Sequence, residues 1–464
     1  MSSVKKKVSK TFVIVVASIA ATGGLLFGFD IGVISGAGIF LQDIKGWGVT
    51  SSQLEWIASA ALIGAVIGAL FCGKITDVLG RKRVILASAF LATIGSFLAG
   101  AAPSVFLLVV GRLFTGVAIG VASFAVPLYI SEISPTRLRG ALVTLNQLLI
   151  SVGFKLASIS DYVIANDANP YSWRWMFYIG IFPGMILFSG MMFLPETPRW
   201  LIYKGFEAKG RAILNKVEEP ELIEESIGKM KADVAHKNES ASYREIFKPW
   251  LRNALVIAIG IMFFQQCIGL NTLLYYSPQI FKMAGITSNT QSIIPTILIG
   301  IVGFIFTVLS IFLLDRFGRR KLYFFGLSGT VISLIVIGLF FHFDKMLGSN
   351  LKYFALMAMF FYIAFYAISL GPLGWLLISE VFPLKVRGIG MSIGSVSNWF
   401  FNGVVAFTFL KLINAFTLSG AYWLYAVIGI TGLIWGYYYI PETKGVTLEK
   451  IEDHWRAGKS PREL

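Results

Sequence analysis

Charge is what this chain has least of. Only 14% of its 464 residues are Asp, Glu, Lys or Arg, against about a quarter in an ordinary soluble domain. Cysteine is scarcer: Cys72 and Cys267 are the only two, both inside apolar runs. That argues against a disulfide and leaves no metal-ligand spacing. The three histidines, His236, His342 and His454, fall in expected loops or at a helix end with no nucleophile–base set around them. An enzyme is therefore not expected. What is abundant is apolar surface: 56% of the residues are hydrophobic, and the mean hydropathy is +0.73.

A membrane-spanning helix needs roughly 20 mostly apolar residues. Twelve runs qualify, near 12–34, 54–72, 84–102, 106–130, 141–164 and 175–194, then 253–277, 291–314, 322–342, 353–378, 389–413 and 420–440. The expected fold is an all-α membrane protein of twelve spans in two pseudo-symmetric six-helix bundles, 1–198 and 253–442. A helical linker, 199–252, joins them, and 443–464 forms a tail. The linker alternates acids and bases with apolar residues at helical spacing, which predicts short amphipathic helices.

The net charge of +15 invites a nucleic-acid reading, but its placement opposes one. With both termini cytoplasmic, 32 of the 40 Lys and Arg residues fall in cytoplasmic segments. Arg112 and Lys155 lie inside spans and six remain for the outer face, the positive-inside pattern. The Lys-rich start resembles a signal peptide, but its apolar run continues through Gly23–Gly28 without a clear cleavage site, so a retained first span is expected. Asn238-Glu239-Ser240 matches a glycosylation pattern on the cytoplasmic side, a chance match.

The charged loops are written twice. Asp77-Val78-Leu79-Gly80-Arg81-Lys82-Arg83 recurs as Asp315-Arg316-Phe317-Gly318-Arg319-Arg320-Lys321, 238 residues later. Glu132 with Arg139 recurs as Glu380 with Arg387, and Pro195-Glu196-Thr197 as Pro441-Glu442-Thr443. A duplicated membrane bundle with a site between its halves is the plan of secondary transporters. The repeated pairs Asp77/Arg81, Glu132/Arg139, Asp315/Arg319 and Glu380/Arg387 are expected to gate by pairing across the halves. Gly269 and Pro278 in the seventh span, and Gly371-Pro372 in the tenth, predict broken helices, tolerated in lipid only where protein or water satisfies the freed backbone.

Two constellations carry chemistry. Asp30 and Arg112 are charges within spans, costly and usually functional. Their depths suit pairing, either as a proton-exchanging couple or as a static ion pair. The amides Gln147, Gln265, Gln266, Asn271 and Asn398 donate and accept without net charge, which suits a neutral polyol. Trp375, Tyr275 and Tyr276 add flat surfaces for packing on a sugar ring and closing an entrance.

Together these residues resemble the sugar porter branch of the major facilitator superfamily, in particular its bacterial galactose– and xylose–proton symporters. The resemblance runs over essentially the whole chain and is sharpest at Gly80–Arg83, Gly318–Arg320, Pro195–Arg199, Gln265–Asn271 and Pro441–Gly445. It implies alternating access, with sugar contacts from Gln147, Gln265, Gln266, Asn271, Trp375 and Asn398. It also implies proton coupling through Asp30 paired with Arg112, an acid that facilitative members commonly lack. Three positions depart from the family: Phe154 where the xylose symporter has a second Gln, Gly303 where many members carry Asn, and Lys155 where an aliphatic residue is expected. Lys155 could compete with Arg112 for Asp30 or pair with Asp161.

The expected function is import of a monosaccharide, galactose, glucose or xylose, with a proton, by a monomer in a bacterial inner membrane. The expected partners are the sugar, the proton and the lipid bilayer, with no nucleic acid and no cofactor beyond the coupling proton. A facilitative uniporter, a non-transporting sugar receptor and a drug–proton antiporter are the alternatives.

Overall fold

In a computed structural model the described residues are 10–135, 138–218, 220–235, 245–383, 386–446 and 448–464. Among them there is no strand. The first six spans are α1 (Lys10–Leu41), α2 (Ser51–Leu79), α3 (Arg81–Ala101), α4 (Val105–Ile133), α5 (Arg139–Ile164) and the pair α6 (Ser172–Ile179) and α7 (Ile181–Phe193). Three linker helices follow, α8 (Pro198–Tyr203), α9 (Glu207–Val217) and α10 (Pro220–Ala235), in the segment where amphipathic helices were expected.

The seventh span is two helices, α11 (Arg252–Cys267) and α12 (Leu270–Met283). After the short α13 (Asn289–Ser292) come α14 (Ile294–Phe317) and α15 (Arg319–His342), then the short α16 (Asp344–Leu347). The tenth span is α17 (Leu351–Ile368) with α18 (Leu370–Val381). The last two run together as α19 (Arg387–Tyr439), and α20 (Leu448–Arg456) forms the tail. Thr417, at φ 66° and ψ 170°, interrupts the 53 residues of α19 between the two runs expected there. The twelve expected spans are thus all present, with eleven separate helices or helix pairs long and apolar enough to cross a membrane.

Two of the expected breaks move. Pro278 lies inside α12 rather than ending it. In the tenth span the backbone departs from helix at Ser369 (φ −118°, ψ −88°), so Gly371-Pro372 sits in the first turn of α18. There the missing proline N–H is tolerated, because first-turn donors have no partner within the helix.

The chain forms two compact units. One comprises Met1–Val33, Ile63–Ala157 and Arg174–Ser240; the other comprises Ile34–Leu62, Ser158–Trp173 and Ala241–Leu464. The helices α1, α2 and α5 each change unit partway along, so these units are a different division from the six-helix halves.

Within the first unit, glycines let backbones touch: a side chain on Gly28 would meet the Ile150 carbonyl, and one on Gly32 would meet Ala157. Such close approach replaces the hydrophobic drive that lipid cannot supply between helices. In the second unit, Asp43 accepts from Asn289 Nδ2 at 3.1 Å. Asp167 accepts from Ser288 Oγ at 2.6 Å and from the Thr290 N–H at 2.8 Å, capping α13.

Candidate functional site

The repeated loop motif folds into the same corner in each unit. Gly80, at φ 95° and ψ 157°, is the one residue between α2 and α3. Gly318, at φ 85° and ψ 173°, is its counterpart between α14 and α15. That backbone region costs a residue with a side chain about 1–3 kcal/mol and is left almost wholly to glycine. The sharp turn presents the first N–H groups of the next helix to a carboxylate. Arg81 and Lys82 both donate to Glu196, at 3.1 Å. Arg319 and Arg320 donate to Glu442, at 2.9 and 3.1 Å. A helix N-terminus suits an anion, so each helix start is held by a residue far along the chain.

The side chains repeat as faithfully. Arg81 reaches Glu132 at 2.9 Å, and Arg319 reaches Glu380 at 2.7 Å. Thr197 Oγ1 donates to Glu132 at 2.6 Å while capping α8, and Thr443 Oγ1 donates to Glu380 at 2.5 Å. Asp77 stands 3.3 Å from Arg81. Arg81 with Asp77 and Glu132 thus pairs inside the first unit, and Arg319 with Glu380 inside the second. Burial pushes the Glu196 carboxyl above its ordinary value, although the backbone donors of Thr197, Lys82 and Arg81 oppose the shift. The side chains of Arg139 and Asp315 lie outside the described residues. Arg387 is partly buried, and its Nε and Nη2 make no hydrogen bond. Sequence reading missed Glu196, Thr197, Glu442 and Thr443 as members of this site, although their recurrence at a fixed offset was the available signal.

In the first unit Asp30 of α1 and Arg112 of α4 form an ion pair. The Arg112 side chain is 2% exposed and that of Asp30 13%. The Phe177 ring lies 5.9 Å from the guanidinium carbon. A small cavity lined by Asp30, Arg112, Ser96, Thr115, Phe177 and Gly180 adjoins the pair. Such a pair holds its charges in a poor dielectric only because each neutralises the other. Lys155 Nζ bonds the carbonyl and hydroxyl of Ser151, one turn back, at 2.8 Å. Neither carboxylate oxygen of Asp161 accepts a hydrogen bond, so the alternative Lys155–Asp161 bond is not formed. Phe154 is buried, its backbone packed against Gly28 and Gly32 of α1. Gln147, on α5, is exposed.

In the second unit four of the expected amides join in one chain. Asn271 donates to Gln266, Gln266 donates to Gln265 at 3.3 Å, and Asn398 donates to Gln265 at 2.8 Å. Gln265 Nε2 in turn donates to the carbonyls of Leu370 and Gly371, at 2.7 and 3.0 Å, next to the break at Ser369. At the other break, Tyr362 Oη donates to the Ile268 carbonyl at 3.0 Å. The broken helices are thereby satisfied by protein groups, as lipid requires. Gly269 is left-handed at φ 87° and faces the Tyr425 ring closely. Trp375 on α18 is 37% exposed. Tyr275 and Tyr276 are buried; Tyr276 Oη donates to the Ala406 carbonyl at 2.8 Å, and Tyr275 Oη accepts from Asn402 at 3.5 Å. Gly303 packs on Ile363. Asn402 was absent from the expected set; it lies one turn beyond Asn398 on the same face, the only hint the sequence offers.

Apolar spans in duplicate, with ion pairs and an amide chain inside them, define a polytopic membrane transporter. The family profile described as "Sugar (and other) transporter" matches residues 16–455. The chain is 39% identical to the putative metabolite transport protein YwtG of Bacillus subtilis, over 94% of this chain and 93% of that one. It is 33% identical to the galactose-proton symporter of Escherichia coli, over 98% and 97%, and 35% identical to the arabinose-proton symporter, over 96% and 94%. Its fold matches the inward open conformation of the E. coli xylose transporter XylE with a TM-score of 0.82 at 29% identity, covering 96% of this chain and 100% of that one. The chain belongs to the sugar transporter family of the major facilitator superfamily, and is a transporter rather than an enzyme.

Proposed function

We propose that this protein imports a monosaccharide together with a proton by alternating access. It would work as a monomer in a bacterial inner membrane, with both termini cytoplasmic and its six-helix halves, 1–198 and 253–442, moving about a central site. The observation that carries the proton half of this reading is the buried Asp30–Arg112 pair. Protonating Asp30 removes the charge that holds Arg112, so loading and release of a proton can be tied to a change of helix packing. The similarity to galactose-, arabinose- and xylose-transporting relatives supports a neutral sugar. So does an amide chain, in which Gln265, Gln266, Asn271 and Asn398 satisfy one another until a hydroxyl-rich ligand replaces those bonds. Gln147 and Trp375 are the further sugar contacts in this reading, and Tyr275 and Tyr276 its entrance. No other cofactor is needed. A proton moving down about 100 mV releases roughly 2.3 kcal/mol, enough for about fifty-fold accumulation.

The test is external pH in a lightly buffered suspension of cells expressing the protein, on addition of galactose, glucose, arabinose or xylose. Alkalinisation with one sugar is the expected result and identifies the substrate. Asp30→Asn should lose that signal and uphill accumulation while keeping sugar exchange. Entry of labelled sugar with no pH change in the parent protein would replace symport by uniport.

A further inference from the structure

The first turns of α2 are gripped by α19 within the second unit. Glu55 is entirely buried, at 0% exposure. Its Oε1 accepts the Lys411 backbone N–H at 2.9 Å, and Lys411 Nζ stands 3.6 Å from Oε2. The same Nζ lies 3.5 Å from the centroid of the Phe407 ring, and Phe407 meets Trp56 edge-on at 4.9 Å. Two successive residues of α2 thus engage one turn of α19, one through charge and one through an aromatic edge. A carboxylate wholly removed from water is costly unless paired, and this one finds its cation 356 residues away.

The pair sits at the end of α2 that clusters with the second unit, while Ile63 onward clusters with the first. Because α2 is one unbroken helix from Ser51 to Leu79, any displacement of its far end pulls on this grip. We infer that Glu55 and Lys411, braced by Trp56 and Phe407, form the latch that keeps the external end closed, and that their separation is a required step in admitting sugar from outside. This rests on the transport reading and its orientation, and names gating residues outside those derived from the repeat.

The test reads closure without sugar or a proton gradient. Ser59→Cys places a thiol one turn inside the latch, at a position 2% exposed. The protein's own Cys72 and Cys267 are both buried, and the protein without the new thiol gives the background. Labelling of intact cells by a membrane-impermeant maleimide should be slow. With Glu55→Gln or Lys411→Met added it should speed up at least about tenfold, the half-exposed Lys411 side chain tempering the larger loss expected of a fully buried pair. Lys411→Arg, which keeps both the cation and the backbone N–H, should leave the rate slow. Lys411→Met alters a side chain that is 49% exposed, so it remains readable if Glu55→Gln fails to accumulate. Unchanged labelling in the Glu55→Gln and Lys411→Met proteins overturns the latch. Sugar entry without alkalinisation would overturn proton coupling and leave the latch standing.

Discussion

At the scale of single residues, the two corner glycines carry the sharpest constraint. Gly318 combines a backbone region costing about 1–3 kcal/mol for any other residue with a position hard against Glu442, itself pinned by two N–H groups. Gly318→Ala should lower the melting temperature in detergent and reduce yield; an unchanged melting curve would mean that the corner relaxes freely. Asp167 makes a milder prediction. Burial tends to raise its pKa, but hydrogen bonds from Ser288 and Thr290 and the charge of Lys282 outweigh it and hold the carboxyl below its ordinary value. A depressed acid contributes stability that is present above its ordinary value and lost only as pH falls through the lower one. Asp167→Asn should therefore cost a small amount, about 0.5 kcal/mol for so exposed a group. That difference should stay constant from pH 8 to pH 5; one that grew or vanished within the range would point to another group.

At the scale of elements, the breaks in the seventh and tenth spans matter more than the spans themselves. Gly269→Ala would force a side chain into the left-handed region and into the Tyr425 ring. Unable to turn there, the chain would displace the amides of Gln266 and Asn271 on either side of it. The expected outcome is a raised KM for sugar entry with the protein still inserted, measured as initial uptake against concentration; an unaltered KM would detach the break from the sugar site. Spans were legible because about 20 apolar residues leave little alternative in lipid. The Gly269 break was legible too, since a lone glycine after two amides is a poor place for a helix to continue. The break at Ser369 was not, because the departure belongs to the residue before Leu370-Gly371-Pro372 and depends on the Gln265 amide waiting 105 residues upstream.

At the scale of the whole molecule, duplication was readable from loop residues alone, and Gly80 and Gly318 with their following arginines explain why. The turn favours glycine and the arginine after it reaches a glutamate with its side chain, so both copies keep Gly-Arg, while the next position supplies only a backbone N–H and differs, Lys82 against Arg320. The ion pairing inside each unit was not readable, because a charge pattern gives partners no addresses. Glu55 with Lys411 was equally hidden, since neither lies in a repeated motif. That second pair has a consequence during synthesis. A ribosome adding roughly 5–20 residues per second needs about 18–70 s to travel from Glu55 to Lys411. For that time the nascent first half carries an acid whose eventual partner does not yet exist. The contact that fixes the start of α2 against α19 cannot form until nearly the whole chain has been made, so it is among the last the growing protein can settle.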